Sequence, residues 1–200
     1  IPNGFSPAFH PIDTSIARER LGLPEDAKII FTLGGLFKRK GFNYLIDAME
    51  QVCSQRDSAL CFIGGTGPER RSLQGQIDQL HLGEKIRLLG PVSGDQLPFW
   101  MNTCDLFVLP SLSESFGVVQ IEALACGKPV VSARNRGSEG VIISDEHGLL
   151  VEPADPEDLA EKILVALDRE WNREAILTYA ERFTWENVVK EILKLYAQLK

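Results

Sequence analysis

The 200-residue chain carries 28 Asp and Glu against 21 Lys and Arg, a formal net charge of −7, with 44% hydrophobic and 24% charged residues. That is the size and balance of one globular domain able to bury roughly 70% of its unfolded surface, which excludes a disordered tail, a fibrous repeat or a scaffold that depends on disulfides. An acidic chain argues against nucleic acid, whose binding rests on Lys and Arg neutralising phosphates, and no nucleic-acid partner is expected.

Residues 28–33 read as a buried strand that runs into the turn Gly34-Gly35. From 41 to 55 the apolar residues Tyr44, Leu45, Ala48, Met49 and Val52 recur three and four apart, the pattern of one helix face. A second strand over 60–63 ends in Gly64-Gly65-Thr66-Gly67-Pro68, a helix runs from there to about Leu82, and 85–90 make a third strand. A short helix over 94–102 precedes a fourth strand over 106–109; a helix over 116–125, a fifth strand over 129–132 and a sixth over 148–151 follow. Near-continuous apolar strands separated by helices predict a parallel sheet covered on both faces, a doubly wound, Rossmann-like α/β fold. No linker or second core interrupts it, so residues 1–200 are expected to form a single domain.

The tail from Pro156 onward reads as helical throughout. Asp155-Pro156-Glu157-Asp158 places a proline and acids in a first turn, and Leu159, Ile163 and Leu167 continue an apolar face. A last helix over 185–200 aligns Trp185, Val188, Val189, Ile192, Leu195, Tyr196 and Leu199 on one stripe, a face long enough to need a surface to pack on. Cys53, Cys61, Cys104 and Cys126 form no C-x-x-C and have no His at zinc-ligand spacing, so they read as small buried thiols in a reducing compartment, with the cytoplasm as the expected location and no metal expected. No apolar run approaches the roughly 18 residues of a membrane-spanning helix, and no signal-peptide pattern opens the chain. The opening Ile1-Pro2-Asn3-Gly4-Phe5 is a turn without an initiator Met, as expected of a chain cut from a longer one.

In open α/β sheets ligands bind beyond the carboxyl ends of the strands, so the chemistry is sought in the loops there. The first, Gly34-Gly35-Leu36-Phe37-Lys38-Arg39-Lys40-Gly41, sets three cations beside glycines at a helix start, a combination suited to phosphate or to a solvated turn. It is no P-loop, because Phe42 follows Gly41 where Lys is required. The second, 64–68, fails as a dinucleotide fingerprint, since Arg70 stands where the third glycine belongs, and this weighs against a nicotinamide dehydrogenase. The third, Pro110-Ser111-Leu112-Ser113-Glu114-Ser115-Phe116-Gly117-Val118-Val119-Gln120-Ile121-Glu122, puts Glu114 in the turn at the sheet edge and Glu122 about two turns into the helix. Glu122 is flanked by Ile121, Ala123 and Leu124, so it approaches the core, where a carboxylate needs hydrogen-bond partners such as sugar hydroxyls.

Taken in order, these motifs resemble the C-terminal half of the retaining GT-B glycosyltransferases, the group 1 family that uses nucleotide-diphosphate sugars. Ile1-Pro2-Asn3-Gly4-Phe5 resembles that family's interdomain P-N-G junction, 33–41 its G-R…K-G loop, and 63–68 its G-x-G-P turn. Glu114 and Glu122 match E-x7-E with Phe116-Gly117 between them, Glu122-Ala123-Leu124-Ala125-Cys126-Gly127-Lys128-Pro129-Val130 follows E-A-x-A-x-G-x-P-V, and Phe183-Thr184-Trp185-Glu186 resembles the opening of its last helix.

The resemblance implies a donor site. In it Glu114 faces the donor sugar, Glu122 binds the ribose hydroxyls, and the backbone amides of Phe116, Gly117 and Val118 receive the diphosphate or sugar hydroxyls. Lys40 neutralises the diphosphate, so Glu114 and Lys40 are the expected catalytic residues. The base lies near 89–92, hence Leu89 and Val92, and near Gly65 and Gly67; Gly35 joins the substrate-binding set by its place in the first loop. No cofactor or metal is implied. The expected partners are the nucleotide-diphosphate sugar and an N-terminal acceptor domain, through which a peripheral membrane contact would be made and to which residues 185–200 would cross back. Two positions depart from the pattern. Gly35 stands where the family carries Arg, leaving Lys38 and Arg39 as the nearest replacements, and Gly140 stands where it carries Glu, with Glu139 adjacent as the expected replacement. The leading expectation is therefore the donor half of a transferase; Gly35 in place of Arg motivates the alternative, a degenerate, non-catalytic nucleotide- or partner-binding module of the same fold.

Overall fold

The computed structural model describes residues 2–198; Ile1, Leu199 and Lys200 lie outside them, and with Leu199 the last position of the predicted stripe. Six parallel strands, β1 (Lys28–Leu33), β2 (Ala59–Gly64), β3 (Ile86–Gly90), β4 (Leu106–Leu109), β5 (Val130–Ala133) and β6 (Gly148–Val151), form one sheet in the order β3-β2-β1-β4-β5-β6. Side chains alternate between two cores. Ile30, Cys61, Ile63, Leu106 and Val108 face one, while Ile29, Phe31, Phe62, Phe107 and Leu109 face the other. Both faces are dry, which is why the strands read as unbroken apolar runs rather than as an alternation.

Helices α2 (Phe42–Gln55), α3 (Arg70–Gln79) and α7 (Pro156–Asp168) cover the first face through Leu45, Met49, Ile77, Leu159 and Ile163. Helices α4 (Leu97–Thr103), α5 (Val118–Ala125) and α8 (Arg173–Ala180) cover the second through Trp100, Met101, Ile121, Leu124 and Ile176. Phe31 stacks on Trp100 with ring centroids 5.6 Å apart, at the centre of that layer. Each fully buried side chain of this kind contributes about 1.5–3 kcal/mol relative to exposure.

Some elements differ from the expectation. Two helices, α1 (Thr14–Leu21) and α6 (Arg136–Glu139), carry no apolar periodicity to announce them. Helix α1 is held instead by Arg18, 4% exposed, whose Nη2 lies 2.8 Å from Asp105 Oδ2 and whose Nε donates to Thr103 O at 3.2 Å. Asp105 Oδ2 also accepts from Ile29 N at 2.7 Å, which ties α1 to the starts of β1 and β4. Helix α4 begins at Leu97 rather than 94, with Pro98 in its first turn. The helical tail breaks after Asp168, where Arg169 is extended and Asn172 caps α8 by accepting from Ala175 N.

The last helix, α9 (Trp185–Gln198), is anchored at Val188. Trp185, Val189, Leu195 and Tyr196 on the predicted stripe are exposed. The opening segment lies against the start of α9: Phe5 N donates to Phe183 O at 3.0 Å, and a Cβ on Gly4 would come within 2.5 Å of the Trp185 ring.

The strand order has one functional consequence. From β1 the chain winds to β2 and β3 on one side, then returns to β4 and continues to β5 and β6 on the other. The helices that follow β1 and β4, α2 and α5, therefore cover opposite faces, and the crevice at the loops leading into them is where such sheets bind ligands.

Candidate functional site

Loops after β1, β2, β3, β4 and β5 frame the crevice, and backbone hydrogen bonds lace them together. Leu36 N donates to Thr66 O at 2.9 Å, Gly65 N to Gly90 O at 2.7 Å, and Leu112 N to Arg39 O at 2.8 Å. A Cβ on Gly65, whose φ is 134°, would fall 1.8 Å from Gly34 O, so only glycine lets these two loops touch. Val92 packs against Gly64, its Cγ2 2.9 Å from where a Cβ would stand. Gly65, Gly67, Leu89 and Val92 lie at the ends of β2 and β3 and in the loops that follow them.

Across the switch point the β1 and β4 loops bring Lys40 onto Glu114. Lys40 Nζ donates to Glu114 Oε1, and the two side chains are only 13% and 9% exposed. An ion pair this buried holds its geometry, because separating the charges would leave one desolvated without a partner. The pair joins the two residues expected to be catalytic.

Helix α5 begins two residues later than the sequence suggested. Gly117 is not in the first helical turn but is the N-cap, at φ 73° and ψ 59°, a left-handed conformation that a side chain would strain. Phe116 lies before the helix and Val118 opens it. Among the described bonds, the backbone N–H groups of Phe116, Gly117, Val118 and Val119 donate to nothing. A helix N-terminus with unpaired N–H groups and its positive dipole end is suited to an anion.

One helical turn further on, Glu122 is half-buried, and burial pushes its carboxyl up from an ordinary 4.5 to about 7. No hydrogen bond to its side chain occurs among those described. A desolvated carboxylate without donors is costly, and hydroxyl groups of a ligand would supply what it lacks.

The two departures resolve differently. A Cβ on Gly35 would lie 2.8 Å from Phe37 Cε2 and 2.9 Å from Cδ2, so the Phe37 ring covers the space into which a side chain at 35 would grow. Lys38 and Arg39 are exposed and take part in none of the described ion pairs, so the loop keeps cationic charge at the crevice mouth. Glu139, the neighbour expected to stand in for the carboxylate missing at 140, is half-exposed. It is turned toward Arg134, with 3.6 Å between Oε1 and Nη1, while Gly140 lines a cavity of about 250 Å³ with Phe116, Arg182 and Phe183.

Two polar residues of the site escaped the sequence reading. Asn135 Nδ2 donates to Ser111 O and Ala133 O at 2.9 Å each, and its Oδ1 accepts from Gly137 N and Ser138 N at 3.0 Å each. It staples the β4 loop to the start of α6; the one legible signal was an Asn placed to cap a helix. The other is Gln120, buried beneath Gly117.

With this geometry in place, residues 13–183 match the family described as Glycosyl transferases group 1. Over 201 residues the chain is 34% identical to D-inositol 3-phosphate glycosyltransferase 1 of Catenulispora acidiphila, taking in 94% of this chain and 48% of that protein. Its fold is similar to that of sucrose-phosphate synthase from Thermosynechococcus elongatus, with a TM-score of 0.87 and 32% identity over 100% of this chain and 52% of the other. It is also similar to Anabaena HepE in complex with UDP and glucose, with a TM-score of 0.81 and 26% identity over 98% of this chain and 55% of the other. The chain spans about half the length of these relatives, and its doubly wound sheet corresponds to one Rossmann-like half of their GT-B architecture. Sheet order, crevice loops and a match over most of the chain agree: the chain belongs to the group 1 glycosyltransferases.

Proposed function

We propose that the chain binds a nucleotide-diphosphate sugar and is the donor half of a glycosyltransferase that acts with retention. The observation that carries the reading is the buried Lys40–Glu114 pair at the β1–β4 switch point, beside a start of α5 whose N–H groups are unpaired among the described bonds; the half-buried Glu122, its carboxyl pushed up to about 7, lies further along the same helix. The relatives add chemical support, since HepE holds UDP and glucose in its solved complex.

In this reading the bond between the anomeric carbon and the diphosphate oxygen breaks, an acceptor hydroxyl oxygen bonds to that carbon and yields its proton to a diphosphate oxygen, and negative charge grows on the departing nucleoside diphosphate as the bond breaks. The N–H groups of Gly117 and Val118 and the Lys40 ammonium stabilise that charge where it develops. An ammonium has three donors, so Lys40 keeps Glu114 while it meets a phosphate oxygen. Glu114 faces the sugar, Glu122 accepts from the ribose hydroxyls, and the base lies against Gly65, Gly67, Leu89 and Val92. The cationic first loop and the helix terminus carry the charge compensation, so the reading asks for no metal or cofactor. The acceptor and part of the catalytic apparatus come from a second domain, so this chain alone binds nucleotide but turns over donor poorly.

Thermal unfolding against UDP, GDP, ADP, their sugar conjugates and NAD tests the binding. A ligand at a hundredfold over its Kd adds about 2.7 kcal/mol, a shift of several degrees for a domain of this size. The expected result is a shift with one diphosphate family that is lost in Glu122→Ala. A shift with NAD alone, or with none of the panel, would count against the reading.

A further inference from the structure

Gln120 lies in the first turn of α5 and is fully buried. Burying a carboxamide costs free energy unless its polar atoms are paired, and here the pairing is lopsided. Nε2 donates to Phe116 O at 3.4 Å and to Gly117 O at 3.5 Å, a long bifurcated arrangement, while Oε1 is buried without a partner. A Cβ on Gly117 would fall 2.3 Å from Nε2, so the amide fills the space that the glycine leaves open. An apolar side chain of the same length would fill that volume without an orphaned oxygen. Packing alone therefore does not account for glutamine at this position.

The geometry of the peptide unit does. In a trans peptide the C=O of one residue and the N–H of the next point in opposite directions. The Phe116 carbonyl turns toward the buried amide, and the Gly117 carbonyl accepts from it and, at 2.9 Å, from Gln120 N; this turns the N–H groups of Gly117 and Val118 the other way, and those N–H groups are unpaired among the described bonds.

We propose that Gln120 is a positioning residue, an internal strut that aims the Gly117 and Val118 N–H groups at the diphosphate of the donor. The inference rests on the reading of this helix N-terminus as the diphosphate site and adds the residue that sets its aim. Gln120 touches no substrate; it acts through the two peptide units above it.

The test compares the chain with Gln120→Met, which keeps length and volume and removes the donor. Binding of UDP and of uridine is measured for both, with GDP and guanosine, and ADP and adenosine, in parallel. Diphosphate affinity is expected to fall about tenfold in the variant for the nucleotide that binds, nucleoside affinity to stay within about twofold, and the unliganded melting temperature not to fall. Equal losses for nucleotide and nucleoside, or no loss for either, would overturn the proposal. A second measurement needs no variant: in the unsubstituted chain the amide proton signals of Gly117 and Val118 should move downfield with the nucleoside diphosphate and stay in place with the nucleoside. Signals that ignore the diphosphate would overturn it too. An unsubstituted chain that binds none of the three diphosphates would sink the donor-site reading and this inference together, whereas normal binding by Gln120→Met would sink this inference alone.

Discussion

At Glu122 burial pushes a half-buried carboxyl up to about 7, with no hydrogen bond to its side chain among those described, and this makes two linked predictions. In the unliganded chain the folded pKa lies above the unfolded one, so protonation favours the fold. The stabilisation is fully present below about 4.5 and is lost as pH rises through 7. Glu122→Gln removes the titration, so it should match the unsubstituted chain near pH 4 and exceed it at pH 8 by about 1–3 kcal/mol, read from denaturant unfolding at each pH. Binding runs the other way. In the proposed donor site a ribose hydroxyl donates to the ionised carboxylate, so nucleotide affinity should rise about tenfold between pH 6 and 8, beyond what the phosphate's own titration gives in Glu122→Gln. A parallel pH profile in the two proteins would remove Glu122 from the site. The sequence disclosed that this residue borders the core, because its neighbours are apolar. It did not disclose that no described hydrogen bond reaches its side chain, which depends on what α5 packs against.

At the scale of elements, the site is a set of strand-end loops fixed to one another more than to their own strands. Asn135 is the clearest fastener, and its two functions separate chemically. Asn135→Asp keeps the oxygen that caps α6 and loses the donor to Ser111 O; Asn135→Ala loses both. Removing the cap should cost about 1 kcal/mol in the alanine variant and little in the aspartate. Both should weaken nucleotide binding, because the β4 loop that carries Glu114 is released in each. Stability and titration calorimetry of the pair check this, and an aspartate variant with full affinity would contradict it. Here the sequence was partly legible. Glycines and a helix start marked the β4 loop, but Gly117 was read as helical when its φ of 73° makes it the cap, because sequence spacing does not reveal backbone handedness. The Lys40–Glu114 pair joins residues distant in sequence and had to await the strand order.

At the scale of the whole molecule, the two ends of the parallel strands do different work. The carboxyl ends carry the crevice, and the opposite edge carries the Arg18–Asp105 anchor of α1. Removing Arg18 leaves Asp105 and the carbonyls of Thr103 and Glu25 without the donor they share. Arg18→Ala should therefore cost about 2–4 kcal/mol of stability while leaving nucleotide affinity unchanged below the transition, as thermal unfolding and calorimetry would report. Loss of binding in a folded Arg18→Ala chain would mean that the two edges are coupled. The sheet itself was the most legible feature, since buried parallel strands must be apolar on both faces and the six runs stood out. Helix α1 was not legible because a buried arginine, rather than an apolar stripe, holds it, and α6 is too short to show any period.

The claim on which the rest depends is that a nucleoside diphosphate binds at the β1–β4 switch point, and amide shift mapping by NMR addresses it directly. Titration with the nucleoside diphosphate that stabilises the chain should perturb one contiguous set: 35–41, 65–67, 89–92 and 114–119, with Glu122 beside it. A perturbed set elsewhere would contradict it. The groove of about 700 Å³ between α2 and α7, lined by Asp155, Glu157, Asp158 and Glu161, is one such place and is electrostatically unsuited to a diphosphate.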